Sequence, residues 1–335
     1  MFAIGRKLRG YAHLTMAGQA FHLSPTVAAT SMSSPGIVLD RNTVEKWLEC
    51  DTTTDILHAL IRHRRRNRPG GRKHEPGDQE QCYDALYHKH LGKRRYQLCR
   101  LDKPGTFAAS VLFDWLSSPS VVHSVSTLED VQRRTYPTNQ RVYGLFHDTS
   151  FPDDDPNNNN PSTGPFVVLK VSLQPSVPST LEQVLTPLAA YSDHTLRVAT
   201  FYSISLLEVG LAGLGLGELT LHRAMDDLTN NRDAEEETLD DLDTFVTLSP
   251  LDKSFPPCPQ AAAEALAENP DAVAKFHLGN GAQLFRVNPP DPAFEGTCNV
   301  NYLYELSHMA ERRQAFRDSG IVSLSEHISV PSTPQ

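Results

Sequence analysis

The sequence has no apolar run long enough to cross a membrane, no Cys-x-x-Cys pair and no Gly-Lys-Ser/Thr phosphate-binding motif. A membrane-spanning helix needs about 20 consecutive apolar residues, so the first absence argues against a membrane protein. The cysteines are scattered along the chain, at positions 50, 82, 99, 258 and 298. Such spacing is typical of free thiols in a reducing compartment rather than of a disulfide framework.

Familiar signals for metal and nucleic acid are also missing. Cys82, His88, His90 and Cys99 could be drawn as a zinc set, but their spacing matches no common zinc motif, and a solvated helix face is the stronger interpretation. Residues 1–105 carry 18 Lys and Arg against 10 Asp and Glu, a net charge of +8, whereas the remainder carries 13 against 30, a net charge of −17. An acidic body argues against a nucleic-acid-binding core.

The first 39 residues are basic at their start, rich in Ser and Thr, and free of acidic side chains. This composition is typical of a mitochondrial transit peptide, and a disordered tail is the alternative interpretation. The sequence therefore predicts a protein of the mitochondrial matrix, with the cytoplasm as the alternative location.

Hydrophobic spacing predicts mixed α and β structure. Helices are expected at residues 41–66, 79–98, 107–116, 180–190 and 261–267, and a last helix is expected to open at 301–306. One strand is expected to end near residue 121 and to lead into a short helix capped by Ser126 or Thr127. Further strands are expected at residues 141–147, 166–173, 201–207 and 245–250. Three polar stretches cannot bury apolar surface and are expected to form loops, at residues 62–73, 153–164 and 233–243.

The most organised stretch is residues 201–228, FYSISLLEVGLAGLGLGELTLHRAMDDL, which reads as a strand, a turn and a helix. Glycines at positions 210, 213, 215 and 217 lie in the turn. The first N–H groups of the following helix have no internal partner and favour an anion. The turn is therefore a candidate phosphate site, and the alternative is a tight connection whose glycines serve packing.

Four phrases, in this order along the chain, resemble the malonyl-CoA decarboxylase family: FYSIS, TLSP, FHLGNGA and NYLYEL. The flanking phrases VVHSV, VQRR and FVVLKVSL agree with that family, so the similarity covers residues 121–328. The resemblance implies an α/β (α+β) fold like that of the Gcn5-related acyltransferases, with a mixed sheet flanked by helices and splayed to admit the pantetheine arm of CoA. A small helical region at residues 40–118 would precede a catalytic domain at 119–328 and a tail at 329–335.

The resemblance also implies a reaction, the decarboxylation of malonyl-CoA to acetyl-CoA and CO2 with neither a metal nor an organic cofactor, and possible assembly into a homo-oligomer. The family's proton acceptor falls on Ser249 and its proton donor on His277, while Asn280 and Tyr304 are candidates for shaping the pocket. The CoA-binding segment falls on Ala212, Gly213, Leu214, Gly215, Leu216, Gly217 and Glu218, beside Ser249 and His277.

The chain departs from the family's pattern in several places, among them the following three. Gly215 stands where the family has an acidic residue, and Pro289 and Pro290 replace an aromatic residue. A short linker joins Ser249 to His277, where the family has a long helical insertion. The missing insertion and Gly215 favour a catalytically silent CoA-binding regulator as an alternative function. A CoA-dependent acyltransferase is a second alternative, although no phrase for an acceptor site is present.

Overall fold

The computed structural model describes residues 41–66, 78–103, 107, 109–150, 164–187, 195–230 and 242–328. Several predictions from sequence lie wholly or partly outside this set: the transit peptide, residues 67–73 of the basic run, the polar insertion, the acidic run up to residue 241 and the C-terminal tail. No helix in the described ranges is both long and apolar enough to span a membrane.

One mixed sheet forms the centre of the molecule, in the order β1-β2-β3-β4-β5-β8-β6, with β7 on the other edge of β8. Every pairing is antiparallel except that of β4 with β5. The strands are β1 Tyr96–Arg100, β2 Gln140–His147, β3 Val167–Gln174, β4 Val198–Leu206, β5 Thr244–Thr247, β6 Ser249–Pro250, β7 Gln283–Asp291 and β8 Thr297–Tyr304.

Helices cover both faces of this sheet, and the first three precede its first strand in the chain. They are α1 Arg41–Glu49, α2 Thr54–Arg66, α3 Asp78–Leu91, α4 Ala109–Leu116, α5 Leu128–Thr135, α6 Leu181–Val184, α7 Leu216–Asn230, α8 Pro259–Glu268, α9 Ala272–Gly279 and α10 Met309–Ser319. The short α5 begins where its sequence predicts, because the Thr127 hydroxyl accepts the backbone N–H of Asp130 as an N-cap.

Alternation along β3 divides the core into two layers. Leu169 packs with Leu221 and Met225 of α7, whereas its neighbour Val168 packs on the opposite face with Leu112 of α4. A third cluster joins α2 and α3 to the segment between β4 and α7. The fold class is therefore confirmed: a mixed sheet flanked by helices, with a small helical region at the N-terminal side.

The predicted strand, turn and helix of residues 201–228 are confirmed as β4, the glycine turn and α7. Other predictions were wrong in their extent. The helix expected at 79–98 ends at Leu91, and Tyr96–Arg100 instead pairs with β2 at the end of the sheet. The helix expected at 180–190 is the single turn Leu181–Val184 within the described residues, and no strand forms near Val121.

Residues 301–304 were expected to open a helix, but they form the end of β8. Tyr302 and Tyr304 lie two positions apart and are both buried on one face, which is the period of a strand. The last helix, α10, begins only at Met309. Pairing with β5 and β7 decided the conformation of this stretch, and such pairing cannot be seen in the local sequence.

The parallel pair β4 and β5 diverges after a few residues. Their last paired residues are Phe201 and Thr247, and the N–H of Leu248 still donates to the carbonyl of Phe201 at 3.2 Å. Beyond that point β4 remains paired with β3 as far as Leu206. The segment that follows β5 instead turns away from β4, and its residue Ser249 pairs with β8. The sheet is therefore splayed between β4 and β6, as the resemblance implies.

Gly281, between α9 and β7, is expected to tolerate no side chain. Its φ is +88°, and a Cβ at this position would lie 2.2 Å from the backbone oxygen of Met309. We expect Gly281→Ala to lower the free energy of unfolding by about 2–4 kcal/mol, since a left-handed residue and a steric overlap both add cost. Urea denaturation measures the change.

Gly320→Ala is the matched control for that substitution. Gly320 also has a positive φ, +67°, but a Cβ there would meet no atom within 4 Å. Its cost should be only about 1 kcal/mol, from the backbone conformation alone. Equal losses in the two variants would contradict the steric explanation.

Candidate active site

Ser249 lies at the point where the sheet splays. It is the first residue of β6 and pairs with Val300 of β8. Its Oγ lies 3.3 Å from Oγ1 of Thr247 and 3.5 Å from Nε2 of His277. The side chain is half-buried. The hydroxyl group therefore sits between a second hydroxyl and an imidazole, at the mouth of the splay.

His277 comes from α9, a helix whose N-terminus is capped by the carboxylate of Asp271. The imidazole is 5% exposed. Burial lowers its pKa to about 3, because removal from water disfavours the charged ring. The structure therefore brings the two residues predicted to be catalytic together, and it keeps the histidine neutral near pH 7.

Two tyrosines of β8 hold the imidazole. The Tyr304 hydroxyl lies 2.7 Å from Nδ1 of His277, and the ring of Tyr302 stacks on the imidazole with centroids 4.7 Å apart and planes 22° apart. Burial raises the pKa of the Tyr304 hydroxyl above its ordinary value, so that group keeps its proton. When it donates that proton to Nδ1, the Nε2 nitrogen carries the other hydrogen and faces Ser249 as a donor.

Sequence reasoning had singled out Tyr304 but missed Thr247 and Tyr302. The hydroxyl of Thr247 accepts the N–H of Tyr302 at 3.2 Å, and the carbonyl of Thr247 accepts from the side chain of Asn301. Alternation could have indicated both residues, since Thr247 precedes Ser249 by two positions and Tyr302 precedes Tyr304 by two. Thr247 thus links β5 to β8 directly beneath the serine.

Asn280, predicted to support the site, ends α9. Its backbone N–H donates to the carbonyl of His277 at 3.1 Å, and its side chain is buried. The turn that follows contains Gly281, which packs against the first turn of α10. Asn280 therefore fixes the end of the helix that carries the imidazole.

The glycine turn lies at the other side of the splay, after β4. Gly213 and Gly215 both adopt positive φ, +83° and +69°, which makes the chain turn sharply before α7 starts at Leu216. The helix α2 supports the turn from outside, because Arg64 donates to the carbonyls of Gly210 and Ala212 at 2.9 and 3.0 Å. The helical N-terminal region thus shapes the predicted CoA-binding segment.

Three cations surround Glu218 in the first turn of α7. Its carboxylate pairs with Lys93 at 2.9 Å and with Arg313, and Arg317 lies 3.9 Å away. Lys93 also fills the space beside Gly215, where an added Cβ would lie 2.8 Å from the lysine Cε. The cationic cluster of Lys93, Arg313 and Arg317 therefore lies against the glycine turn, next to Gly215 and Glu218.

Helix α10 connects the two halves of this site. Its first residue, Met309, packs on Gly281 just after α9, and Arg313 reaches Glu218 at the glycine turn. At 1.5 Å per residue, Met309 and Arg313 are separated by about 6 Å along the helix axis. The predicted catalytic pair and the predicted CoA-binding segment are thus joined through one helix.

The splayed part of β4 is covered by the loop that contains Val122. The hydroxyl of Ser203 donates to the carbonyl of Val122 at 2.7 Å, and the backbone N–H of Val122 donates to Oγ of Ser205 at 2.8 Å. The buried Lys170 donates to the neighbouring carbonyl of His123 at 2.7 Å.

Among the described side chains, no three histidine, cysteine, aspartate or glutamate residues come together as metal ligands.

Comparison with known proteins shows a family for this chain. A family profile described as "Malonyl-CoA decarboxylase C-terminal domain" matches residues 100–257 and 259–331 of this chain. The mitochondrial malonyl-CoA decarboxylase of Rattus norvegicus is 29% identical over 139 residues, which are 41% of this chain and 24% of that protein. The alignment therefore spans about a quarter of the rat protein's length.

Solved structures show the same fold. The malonyl-CoA decarboxylase of Agrobacterium vitis matches with a TM-score of 0.57 and 24% identity, over 81% of this chain and 75% of that one. The malonyl-CoA decarboxylase of Cupriavidus metallidurans matches with a TM-score of 0.59 and 20% identity, over 85% and 80%.

The two tyrosines of β8 are expected to respond differently to loss of their hydroxyl groups. Tyr304→Phe leaves a buried imidazole nitrogen without its partner and should lower the free energy of unfolding by about 1–3 kcal/mol. The Tyr302 hydroxyl is buried without a hydrogen-bond partner among the described residues, so Tyr302→Phe should be neutral or slightly stabilising. Urea denaturation of both variants measures the difference, and equal losses would contradict it.

Proposed function

The chain belongs to the malonyl-CoA decarboxylase family, and from this premise we propose that it converts malonyl-CoA to acetyl-CoA and CO2. The observation that carries the proposal is the contact of Ser249 with His277 at the mouth of the splayed sheet, with Tyr304 behind the imidazole. A serine and a histidine from separate phrases meet there in one place. The glycine turn on the far side of the splay supports the binding of a CoA thioester.

The reaction needs little beyond orientation and a proton. In malonyl-CoA the thioester carbonyl is already an electron sink, so the bond to the carboxylate can break through an enolate. We therefore propose that the chain uses neither a metal nor an organic cofactor. The tasks left to the protein are to hold the carboxylate, to stabilise charge on the thioester oxygen and to protonate the new carbon.

The proton is assigned to His277. Its low pKa keeps it neutral in the free protein, but a malonyl carboxylate beside the ring would favour the imidazolium and raise that pKa. Both ring nitrogens then donate, Nδ1 to the oxygen of Tyr304 and Nε2 toward the substrate. As the carbon–carbon bond breaks, the electron pair moves into the thioester, and the Nε2 proton passes to the methylene carbon. The histidine is left neutral, and turnover consumes one proton from solvent.

Ser249 is assigned to orientation of the reacting group. Its hydroxyl can donate a hydrogen bond to an oxygen of the substrate, since its neighbours Thr247 and His277 lie at 3.3 and 3.5 Å, longer than a strong hydrogen bond. One donor aimed at a developing negative charge contributes on the order of 3 kcal/mol. Ser249 is half-buried rather than fully enclosed, which supports access of a substrate to this residue.

The phosphates of CoA are assigned to the glycine turn. The first N–H groups of α7 have no helical partner and favour anions. Lys93, Arg313 and Arg317 stand beside them, paired with Glu218 in the free protein. A phosphate group can take over these cations because each N–H···O–P contact is charge-assisted. These cations thereby offset, at the glycine turn, the net negative charge of residues 106–335.

We infer the mitochondrial matrix as the location of this protein. The acid-free, basic start of the sequence supports it, and the curated relative from Rattus norvegicus is described as mitochondrial. Import of a fluorescent fusion that carries residues 1–45 into mitochondria tests this location, with a fusion in which Arg6, Lys7 and Arg9 are replaced by Gln as the control.

The purified chain is expected to form acetyl-CoA from malonyl-CoA without added metal or acceptor. His277→Ala and Ser249→Ala should each lower kcat by about 10²–10⁴-fold, the range expected for positioned proton transfer. His308→Gln, at an exposed histidine, is the matched control and should keep full activity. Circular dichroism establishes that each variant is folded.

Two outcomes would contradict the proposal. Measurable CoA binding without turnover by the wild-type chain would favour a silent CoA-binding regulator. Turnover that depends on an added amine acceptor would favour an acyltransferase. Retention of activity in either folded variant would overturn the assigned residue roles while leaving the reaction itself in place.

Arg313→Gln should weaken CoA binding about tenfold or more, since one charge-assisted hydrogen bond to a phosphate is worth about 1.5–3 kcal/mol. Isothermal titration calorimetry measures the dissociation constant. Arg312→Gln is the matched control, because Arg312 lies next to it on α10 but pairs with Glu305. Similar weakening in both variants would indicate that α10 has loosened and would contradict direct recognition.

A further inference from the structure

Both ends of the loop that follows Ser249 are hydrogen-bonded to the same residue, Cys298 of β8. At its start, the N–H of Leu251 donates to the carbonyl of Cys298 at 2.9 Å. At its end, the thiol of Cys298 donates to the carbonyl of Pro257 at 3.3 Å. Pro257 is bonded to Cys258, the N-cap of α8. The thiol of Cys298 thus contacts the backbone of the residue that immediately precedes Cys258, where this loop ends.

The two thiols differ in exposure. Cys258 is exposed, and its side chain makes no capping hydrogen bond to α8. Cys298 is 2% exposed. Burial raises the pKa of the Cys298 thiol, and the nearby sulfur of Cys258 raises it further. An accessible thiol beside a buried one is the arrangement in which the first reacts with an external oxidant and the second resolves the product.

We propose that Cys258 and Cys298 form a reversible intramolecular disulfide, with a small-molecule disulfide such as oxidised glutathione as the oxidant. The thiolate of Cys258 attacks one sulfur of the oxidant and releases one glutathione thiol, which leaves a mixed disulfide on Cys258. The thiolate of Cys298 then attacks the Cys258 sulfur and releases the second glutathione thiol. Two protein thiols are oxidised and one external disulfide is reduced to two thiols, so the electrons balance.

The disulfide would tie the loop to β8 by a covalent bond. Val300, two residues after Cys298, pairs with Ser249, and Asn299 pairs with Pro250. The disulfide bond would therefore lie beside the part of β8 that pairs with Ser249. An effect on activity rests on the proposed function, whereas formation of the disulfide does not.

The test uses the purified chain in its reduced, folded form. Incubation with oxidised glutathione, blocking of free thiols and peptide mass mapping should reveal one linked pair of peptides, joined through Cys258 and Cys298. The intact mass should fall by two hydrogens, and dithiothreitol should restore it. A stable glutathione adduct on Cys258 without the link would overturn the proposal, as would a principal link to Cys50, Cys82 or Cys99.

Two variants separate the steps. Cys298→Ala should retain the glutathione adduct on Cys258, because the resolving thiol is gone. Cys258→Ser should leave Cys298 unmodified, because that thiol is buried. Modification of Cys298 at the wild-type rate in Cys258→Ser would contradict the order of the steps.

Activity provides a separate readout. If the reduced chain turns over malonyl-CoA, oxidation should lower kcat by up to about 100-fold, the scale of a small misplacement of a catalytic group, and dithiothreitol should reverse the loss. If the linked peptides form but the reduced chain shows no turnover, the proposed function fails while the disulfide stands. Unchanged kcat in an oxidised, active chain would overturn the effect on Ser249.

Discussion

Strand β8 is hydrogen-bonded along both edges, and this constraint governs the half of the molecule that contains Ser249 and His277. β7 occupies one edge, while β5 and then β6 occupy the other. A shift of β8 by one residue would break all three pairings and would turn Tyr302 and Tyr304 to the opposite face. Since Ser249 pairs with β8 and His277 stacks on one of these tyrosines, both residues take their positions from this strand.

The polar groups at this centre are held in largely apolar surroundings. A buried neutral imidazole costs much less than a buried charged one, and the tyrosine hydroxyl satisfies one of its nitrogens. The free protein therefore stores His277 in its neutral form and leaves Nε2 directed at the splay. In the reaction that we propose, an anionic substrate would supply the charge that the pocket lacks, so protonation and binding would favour each other.

The two ends of the site depend on elements outside the sheet. The helix α10 contacts the turn after α9 and also carries the arginines that pair with Glu218. The helix α2 holds the glycine turn through Arg64. Glu218 neutralises part of the cationic cluster in the free protein, which makes the cluster tolerable without a ligand. The helical N-terminal region is thus a structural support of the site, although it contributes none of the assigned catalytic residues.

Part of this arrangement could be predicted from the sequence because it depends on neighbours along the chain. The apolar spacing on either side of the glycines predicted β4 and α7, and a hydroxyl at Ser126 or Thr127 predicted the start of α5. The order of the short phrases indicated the family and pointed to Ser249 and His277. Interactions of this kind act over a few residues, so the local pattern contains them.

The tertiary structure decided the rest. Residues 301–304 became a strand because β5 and β7 offered hydrogen-bond partners, and Tyr96–Arg100 became a strand because β2 did. Thr247 and Tyr302 entered the site only through their pairing across the sheet. The low pKa of His277 depends on burial by segments remote in sequence. Patterns along the chain determined which elements form, whereas pairing and burial between distant segments decided which side chains meet and which charge state they keep.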